Sequence, residues 1–261
     1  MAGKAAFFDI DGTLWDSCNE IPESTVEAIR KLRENGNLAF LCSGRTRAYI
    51  QNPSLLEIGF DGIVSGCGTM IEYQDRVVFY HQMEKELAVK TVETVRRYGF
   101  RPILEGRAYI YMDQKDFQND YYGKKLNAEL GERLIGITEH WGEWEISKLS
   151  CATDSPDREA CFQALSPDFD FMIHNPFVAE MVPKGFHKGT GIQKTCEMLG
   201  ISLEDTFAFG DSVNDLGMFE AAKTAVAMGD GTQAAKDAAD YVTTPLKENG
   251  IWNACRHFGL I

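Results

Sequence analysis

The chain has 261 residues, of which 44% are apolar and 25% charged, a balance that excludes a disordered or fibrous protein and suits one large or two small globular domains. Lys and Arg number 26 against 39 Asp and Glu, a formal charge of −13, so the surface as a whole repels nucleic acid and anionic membranes. A small anionic substrate is still admissible, provided a Lys, an Arg or a metal ion supplies local positive charge.

The N-terminal stretch offers only four apolar residues, Ala5 to Phe8, before Asp9, which is not the pattern of a secretory signal. No apolar run approaches the roughly 18 residues needed to span a bilayer. The seven cysteines show no CxxC spacing and read as small apolar side chains in a reducing compartment. The expectation is a soluble cytoplasmic protein.

In chain order, Ala5–Phe8 reads as a short buried strand that runs into Asp9-Ile10-Asp11-Gly12-Thr13. Pro22 to about Asn35 reads as a helix with Val26, Ile29 and Leu32 inward, stopped at Gly36. Leu38–Cys42 is a second apolar strand, leading into Ser43-Gly44-Arg45. Met70–Tyr73 and Val77–Tyr80 flank a turn and read as a hairpin. Glu84–Tyr98 is an amphipathic helix with Leu87, Val92 and Val95 inward. Short strands around Gly106, a helix from Pro156 to Leu165 and strands at Phe169–Ile173 and Val178–Val182 follow. Lys188–Leu199 is a helix stopped by Gly200. Thr206–Phe209 is a strand ending in Gly210-Asp211-Ser212-Val213-Asn214-Asp215. A helix through Met218, the strand Ala225–Met228, a helix to about Ala239, the short strand Tyr241-Val242 and a closing helix over Asn249–Phe258 complete the chain. Unbroken apolar strands separated by helices predict a Rossmann-like α/β core, a parallel sheet with helices on both faces. The strand pairs in the middle predict an inserted α+β domain over 82–184, with the core formed by 1–81 and 185–261.

Asp9, Ser43 and Asp211 each follow the end of an apolar strand, and parallel sheets bind ligands beyond the carboxyl ends of their strands. Asp9 and Asp11 alternate, so in an extended segment their carboxylates crowd on one side. Like charges in contact drive pKa values apart, leaving one group ionised while the other holds a proton for acid–base chemistry. Taken singly, these residues have plainer readings: Ser43 as the N-cap of a helix from Thr46, Lys188 as a solvated lysine, Asp211 as a cap, Asp215 on a wet helix face. A second Asp-Gly-Thr, Asp230–Thr232, lacks the preceding Asp and reads as a turn. The five histidines show no ligand spacing.

Together the four segments resemble the motifs of the haloacid dehalogenase-like hydrolases, in the Cof-like phosphatase branch. Asp9–Thr13 matches D-x-D-G-T, Ser43-Gly44-Arg45 the T/S-G-R motif, Lys188 the lysine motif, and Gly210–Asp215 the motif G-D-x-x-N-D. The 82–184 insert falls where that branch carries a large α/β cap. The resemblance implies Asp9 as nucleophile, Asp11 as general acid and base, and Lys188 and Ser43 as catalytic and substrate-binding groups, with Asn214 on the phosphate side. It implies Mg²⁺ as cofactor, held by Asp9, Asp11 (through its carbonyl) and Asp211, with Asp215 completing the metal site from behind these ligands or through a water. The partner implied is a small phosphorylated metabolite, a sugar phosphate or similar phosphomonoester. A phosphomutase that passes the phosphoryl group to a sugar, and a phospholigand-binding protein without turnover, are the competing readings. Glu105, Asp113 and Asn175 are polar candidates within the insert.

Overall fold

The computed structural model describes residues 3–118, 121–152, 155–175 and 178–261, without the side chains at 121, 122, 174 and 175. The chain forms two compact units. Met1–Gly44, Gln51–Phe79 and His187–Ile261 make the first; Arg45–Ile50 and Tyr80–Phe186 make the second.

The first unit is built on β1 (Ala5–Phe8), α1 (Glu23–Glu34), β2 (Leu38–Cys42), α2 (Pro53–Leu56), β3 (Gly62–Ser65), β4 (Met70–Tyr73) and the greater part of β5 (Arg76–Tyr80). After the second unit it resumes, and the strands of both segments meet in one eight-stranded sheet among the described residues. All four residues of β1 are buried, as a strand covered on both faces requires. Successive side chains go to opposite faces: Phe7 stacks on Phe40 at 4.9 Å and Phe8 on Phe209 at 4.6 Å. On one face Phe7, Phe40 and Cys42 join Ile192, Cys196, Met218 and Phe219 in a single apolar cluster.

Two local expectations shift. Along α1 the buried residues are Thr25, Ala28, Ile29 and Leu32, and Val26 is exposed. Their spacing, i, i+3, i+4 and i+7, completes the stripe set by Ile29 and Leu32, and Val26 falls beside it. The strand β3 has only two large apolar residues between glycine and serine, too short a run to stand out, yet it pairs with β2 in parallel and β4 in antiparallel register.

The second unit contains α3 (Lys85–Arg97), β6 (Arg101–Glu105), β7 (Ile110–Tyr111), α4 (Tyr121–Leu130), β8 (Leu134–Ile135), β9 (Lys148–Ala152), α5 (Arg158–Leu165), β10 (Phe169–Asn175) and β11 (Val178–Pro183). Its sheet runs β10-β11-β9-β6-β7-β8. Val92 and Val95 of α3 and Cys161 and Leu165 of α5 pack with Leu104, Leu149 and Met181. A separate cluster holds Ile103, Ile110, Met112, Phe117 and Leu126, and Ala48 belongs to it. That burial is why residues 45–50, placed in the core by the linear reading, pack as part of this unit.

The chain continues through α6 (Lys188–Leu199), β12 (Thr206–Gly210), α7 (Leu216–Ala221), β13 (Thr224–Ala227), α8 (Gln233–Ala238), β14 (Tyr241–Val242) and α9 (Gly250–His257). The first unit's sheet has the order β14-β13-β12-β1-β2-β3-β4-β5. β1 therefore lies between β12 and β2, parallel to both. Cys18 is exposed and the other six cysteines are buried, none of them in a disulfide. No helix of the described residues is long and apolar enough to cross a membrane.

Candidate active site

The strand order sets the site. Asp211, Asp9 and Ser43 leave the carboxyl ends of β12, β1 and β2, three adjacent parallel strands about 4.8 Å apart. Residues that are some 200 positions apart in sequence thus become neighbours. The Asp9 N–H donates to the Phe209 carbonyl at 2.9 Å and the Ser43 N–H to that of Val64 at 2.9 Å, which carries the ladder one residue past each strand.

Lys188 is the first residue of α6 and only 2% exposed. Its ammonium donates to Asp9 Oδ1 at 2.6 Å and to Asp215 Oδ1 at 2.6 Å. It is not a solvated lysine. Asp215 is fully buried, and its Oδ2 accepts the N–H groups of Asp211 at 2.8 Å and Ser212 at 3.0 Å. Asp215 therefore ties Lys188 to the backbone that carries Asp211, and is far from a wet helix face.

Oxygens of Asp9, Asp211 and Asp215 lie within 4.8 Å of one another. Asp211 Oδ1 is buried and has no hydrogen-bond partner among the described residues. Burial first, and then the Asp215 charge, raises the Asp9 pKa above the carboxylate range, with Lys188 pulling it back. Burial and Asp215 likewise push Asp211 up to about 7. Burial opposes the charge on Lys188, but Asp215 and Asp9 outweigh it and hold the ammonium well above its ordinary range. One ammonium thus faces three carboxylates, and an orphaned buried oxygen points to a further cation. The residues present fit a hard divalent ion that takes oxygen ligands.

Asp11 departs from the expected crowding. The chain turns sharply at Gly12 (φ 78°), and the N–H groups of Thr13, Leu14 and Trp15 all converge on the Ile10 carbonyl. Asp11 is exposed, and its Oδ1 accepts the Trp15 indole N–H at 2.9 Å. The foremost like charge on Asp9 is Asp215, with Asp11 a lesser contributor. The acidic cluster is made by Asp9, Asp211 and Asp215, with the Asp11 side chain outside it. A Cβ on Gly12 would stand 2.5 Å from Asp211 Oδ2, so the motif glycine makes room for the carboxylate as well as for the turn.

Ser43 is buried, and the Cys67 N–H donates to its carbonyl at 3.1 Å. No helix follows from Thr46, so Ser43 is not an N-cap. Asn214 accepts the Ser212 hydroxyl at 2.7 Å. Two groups escaped the linear reading. Trp15 holds Asp11, and its only signal is its place four residues on. Thr232 donates its N–H to the Asp211 carbonyl at 2.7 Å while Gly231 lies against that carbonyl. The second Asp-Gly-Thr is thus a turn, as read, but one that fixes a site residue. In the second unit, Glu105 accepts the Ser150 hydroxyl at 2.8 Å and pairs with Lys148 at 3.4 Å. Asp113 is held by Arg96 at 2.6 Å and by Thr138. The side chain of Asn175 lies outside the described residues.

The chain is similar to known proteins over nearly its whole length. The model of the haloacid dehalogenase-like hydrolases matches residues 6–255. YkrA of Bacillus subtilis (strain 168) is 30% identical over 280 aligned positions that span both chains in full. The 5-amino-6-(5-phospho-D-ribitylamino)uracil phosphatase YitU of the same organism is 26% identical over 93% of each chain. Among solved structures, the subclass IIB sugar phosphatase BT4131 superimposes with a TM-score of 0.84 at 29% identity, over 99% of this chain and 100% of that one. With the family model matched over residues 6–255 and the fold shared over nearly the whole chain, the chain is a phosphatase that belongs to the haloacid dehalogenase-like hydrolase family.

Proposed function

We propose that the protein is an Mg²⁺-dependent phosphatase that hydrolyses a small phosphorylated metabolite, a sugar phosphate or similar phosphomonoester, through an aspartyl-phosphate on Asp9. The observation that carries this reading is the buried Asp9–Lys188–Asp215 chain, with both contacts at 2.6 Å, beside the orphaned Asp211 oxygen. Asp9 is held by an ammonium that orients it and offers charge to an incoming phosphoryl group.

In the first half-reaction an Asp9 carboxylate oxygen forms a bond to phosphorus. The bond from phosphorus to the ester oxygen breaks, and Asp11 gives its proton to the leaving alcohol. In the second half, Asp11 takes a proton from water as the water oxygen attacks phosphorus. The bond to Asp9 breaks, inorganic phosphate departs, and both carboxyl groups regain their starting states. The hydrogen bond from the Trp15 indole N–H to Asp11 Oδ1 supports this reading, because it fixes the Asp11 side chain. Lys188 and the Ser43 hydroxyl bind phosphoryl oxygens, and Asn214, braced by Ser212, orients the same group. Asp9, Asp211 and the Asp11 carbonyl would hold Mg²⁺, with Asp215 supporting them through Lys188 and the Asp211 backbone; the ion when bound would neutralise phosphoryl charge as a Lewis acid. We assign residues 82–184 as the cap that decides which esters are turned over.

The test is turnover of para-nitrophenyl phosphate with and without Mg²⁺, by wild type and Asp9→Asn. The proposal requires turnover that needs Mg²⁺ and vanishes in Asp9→Asn. Turnover by Asp9→Asn at the wild-type rate would remove it, and activity appearing only with an added bisphosphorylated sugar would shift the assignment to a mutase.

A further inference from the structure

The turn between β3 and β4 passes through three successive residues in the left-handed region, Gly66 (φ 59°), Cys67 (φ 57°) and Gly68 (φ 85°). A residue with a Cβ adopts that conformation only where its surroundings enforce it, and here they do so on both sides. On one side, the Cys67 N–H donates to the Ser43 carbonyl at 3.1 Å, while the Ser43 N–H donates to Val64 at 2.9 Å. The turn thereby grips Ser43 from below.

On the other side, Gly68 lies directly on the first turn of α6. A Cβ added to Gly68 would stand 2.9 Å from Gly191 Cα, 2.9 Å from Gly191 N and 3.0 Å from the His187 carbonyl oxygen. That nitrogen and that oxygen are joined in a hydrogen bond of 3.1 Å that closes this turn. Lys188 sits inside it, between the two. The contact is reciprocal: a Cβ on Gly191 would come 2.5 Å from Val64 Cγ1 and 2.9 Å from Gly68 Cα. The contacts of Gly68 are backbone to backbone, with no flexible side chain to give way, and those of Gly191 combine the Val64 side chain with the Gly68 backbone.

Resting on the function proposed above, we infer that the Gly66–Gly68 turn is a positioning element that sets Lys188 and Ser43 at a fixed separation, and that Gly68 and Gly191 are its critical residues. Neither lies in the motifs that carry the chemistry. Pushing the first turn of α6 away from β3 moves Lys188 against Asp9 and Asp215, each held at 2.6 Å. Displacements on the order of 1 Å in such a constellation cost roughly a hundredfold in rate.

Gly36 supplies the control. It is also left-handed (φ 82°) and in the same unit, but nothing lies within 4 Å of where its Cβ would be. Gly36→Ala therefore carries the backbone strain without the displacement. With para-nitrophenyl phosphate and Mg²⁺, Gly68→Ala and Gly191→Ala are expected to lose roughly tenfold to a hundredfold in kcat with a smaller change in KM. Gly36→Ala is expected to keep the wild-type kcat while losing thermal stability. Adding Val64→Ala to Gly191→Ala removes the nearest obstructing carbon and leaves the Gly68 backbone contact at 2.9 Å, so it is expected to recover part of the lost kcat. This pair carries the test if Gly68→Ala fails to fold. Folded Gly68→Ala or Gly191→Ala with kcat within about twofold of wild type would overturn the inference, as would a kcat loss in Gly36→Ala of the same size. An inactive wild type, or an Asp9→Asn variant as active as wild type, would instead strike the underlying function.

Discussion

Replacing Lys188 by Met keeps most of the side chain's volume and removes its charge. In the native protein that charge faces Asp9 and Asp215 at 2.6 Å each, and all three side chains are at most 4% exposed. Removing one partner of a buried ion pair costs about 3–5 kcal/mol, because the remaining charge has neither water nor counterion. Against a typical stability of about 5–15 kcal/mol, that loss is large. It corresponds to a fall of roughly 6–20 °C in the first unit's melting temperature. The cost is paid by ionised carboxylates, so protonation relieves it. The variant should lie closer to wild type at about pH 5 than at about pH 8, even though Asp9 is already raised in the native protein. Thermal and urea unfolding of both proteins in the presence of a chelator, at the two pH values, reads this directly. A difference of less than about 1 kcal/mol at the higher pH, or a larger loss at the lower one, would refute the reasoning.

Gly12→Ala puts a Cβ 2.5 Å from Asp211 Oδ2 at a φ of 78°; it should cost about 1–2 kcal/mol from the backbone alone and weaken Mg²⁺ binding measured by calorimetry at least tenfold. In the cation-free protein Asp9 and Asp211 hold protons that the unfolded chain has already released above about pH 4. The stability contributed by these groups therefore falls as pH rises from about 4 toward 8, and the melting-temperature gain on adding Mg²⁺ should grow across the same window; Asp211→Asn should flatten that growth, and a gain independent of pH would contradict it. Deleting residues 82–184 removes Ile103, Ile110 and Met112, with which Ala48 is buried. Hydrogen exchange should then show residues 45–50 unprotected, and retained protection there would count against the assignment of that segment to the second unit.

What could be read from the linear chain follows from where physical signals are local. Ala5–Phe8, Leu38–Cys42 and Thr206–Phe209 announce themselves as unbroken apolar runs, and Asp9, Ser43 and Asp211 stand just beyond them, so the parallel sheet and its crevice are legible in the sequence. The partnership of Asp9 with Asp215 was not. It arises because β1 and β12 are neighbours and α6 delivers Lys188 between the two carboxylates. Alternation alone pointed to Asp11, but Gly12 breaks the extended geometry on which alternation depends. Thr232 and Trp15 act through ordinary hydrogen bonds that carry no residue-type signature. The packing of Ala48 into the second unit is a long-range outcome that a single small residue does not reveal.

The most direct test of the central claim is to trap the covalent intermediate. Wild-type protein mixed with excess phosphoester and Mg²⁺, quenched in acid within the first turnovers and digested, should yield the peptide containing Asp9 with the mass of one added phosphoryl group. The same peptide from Asp9→Asn should remain unmodified. A phosphoryl group found on another residue while turnover proceeds, or rapid turnover with no acid-stable adduct at any quench time, would contradict Asp9 as the nucleophile.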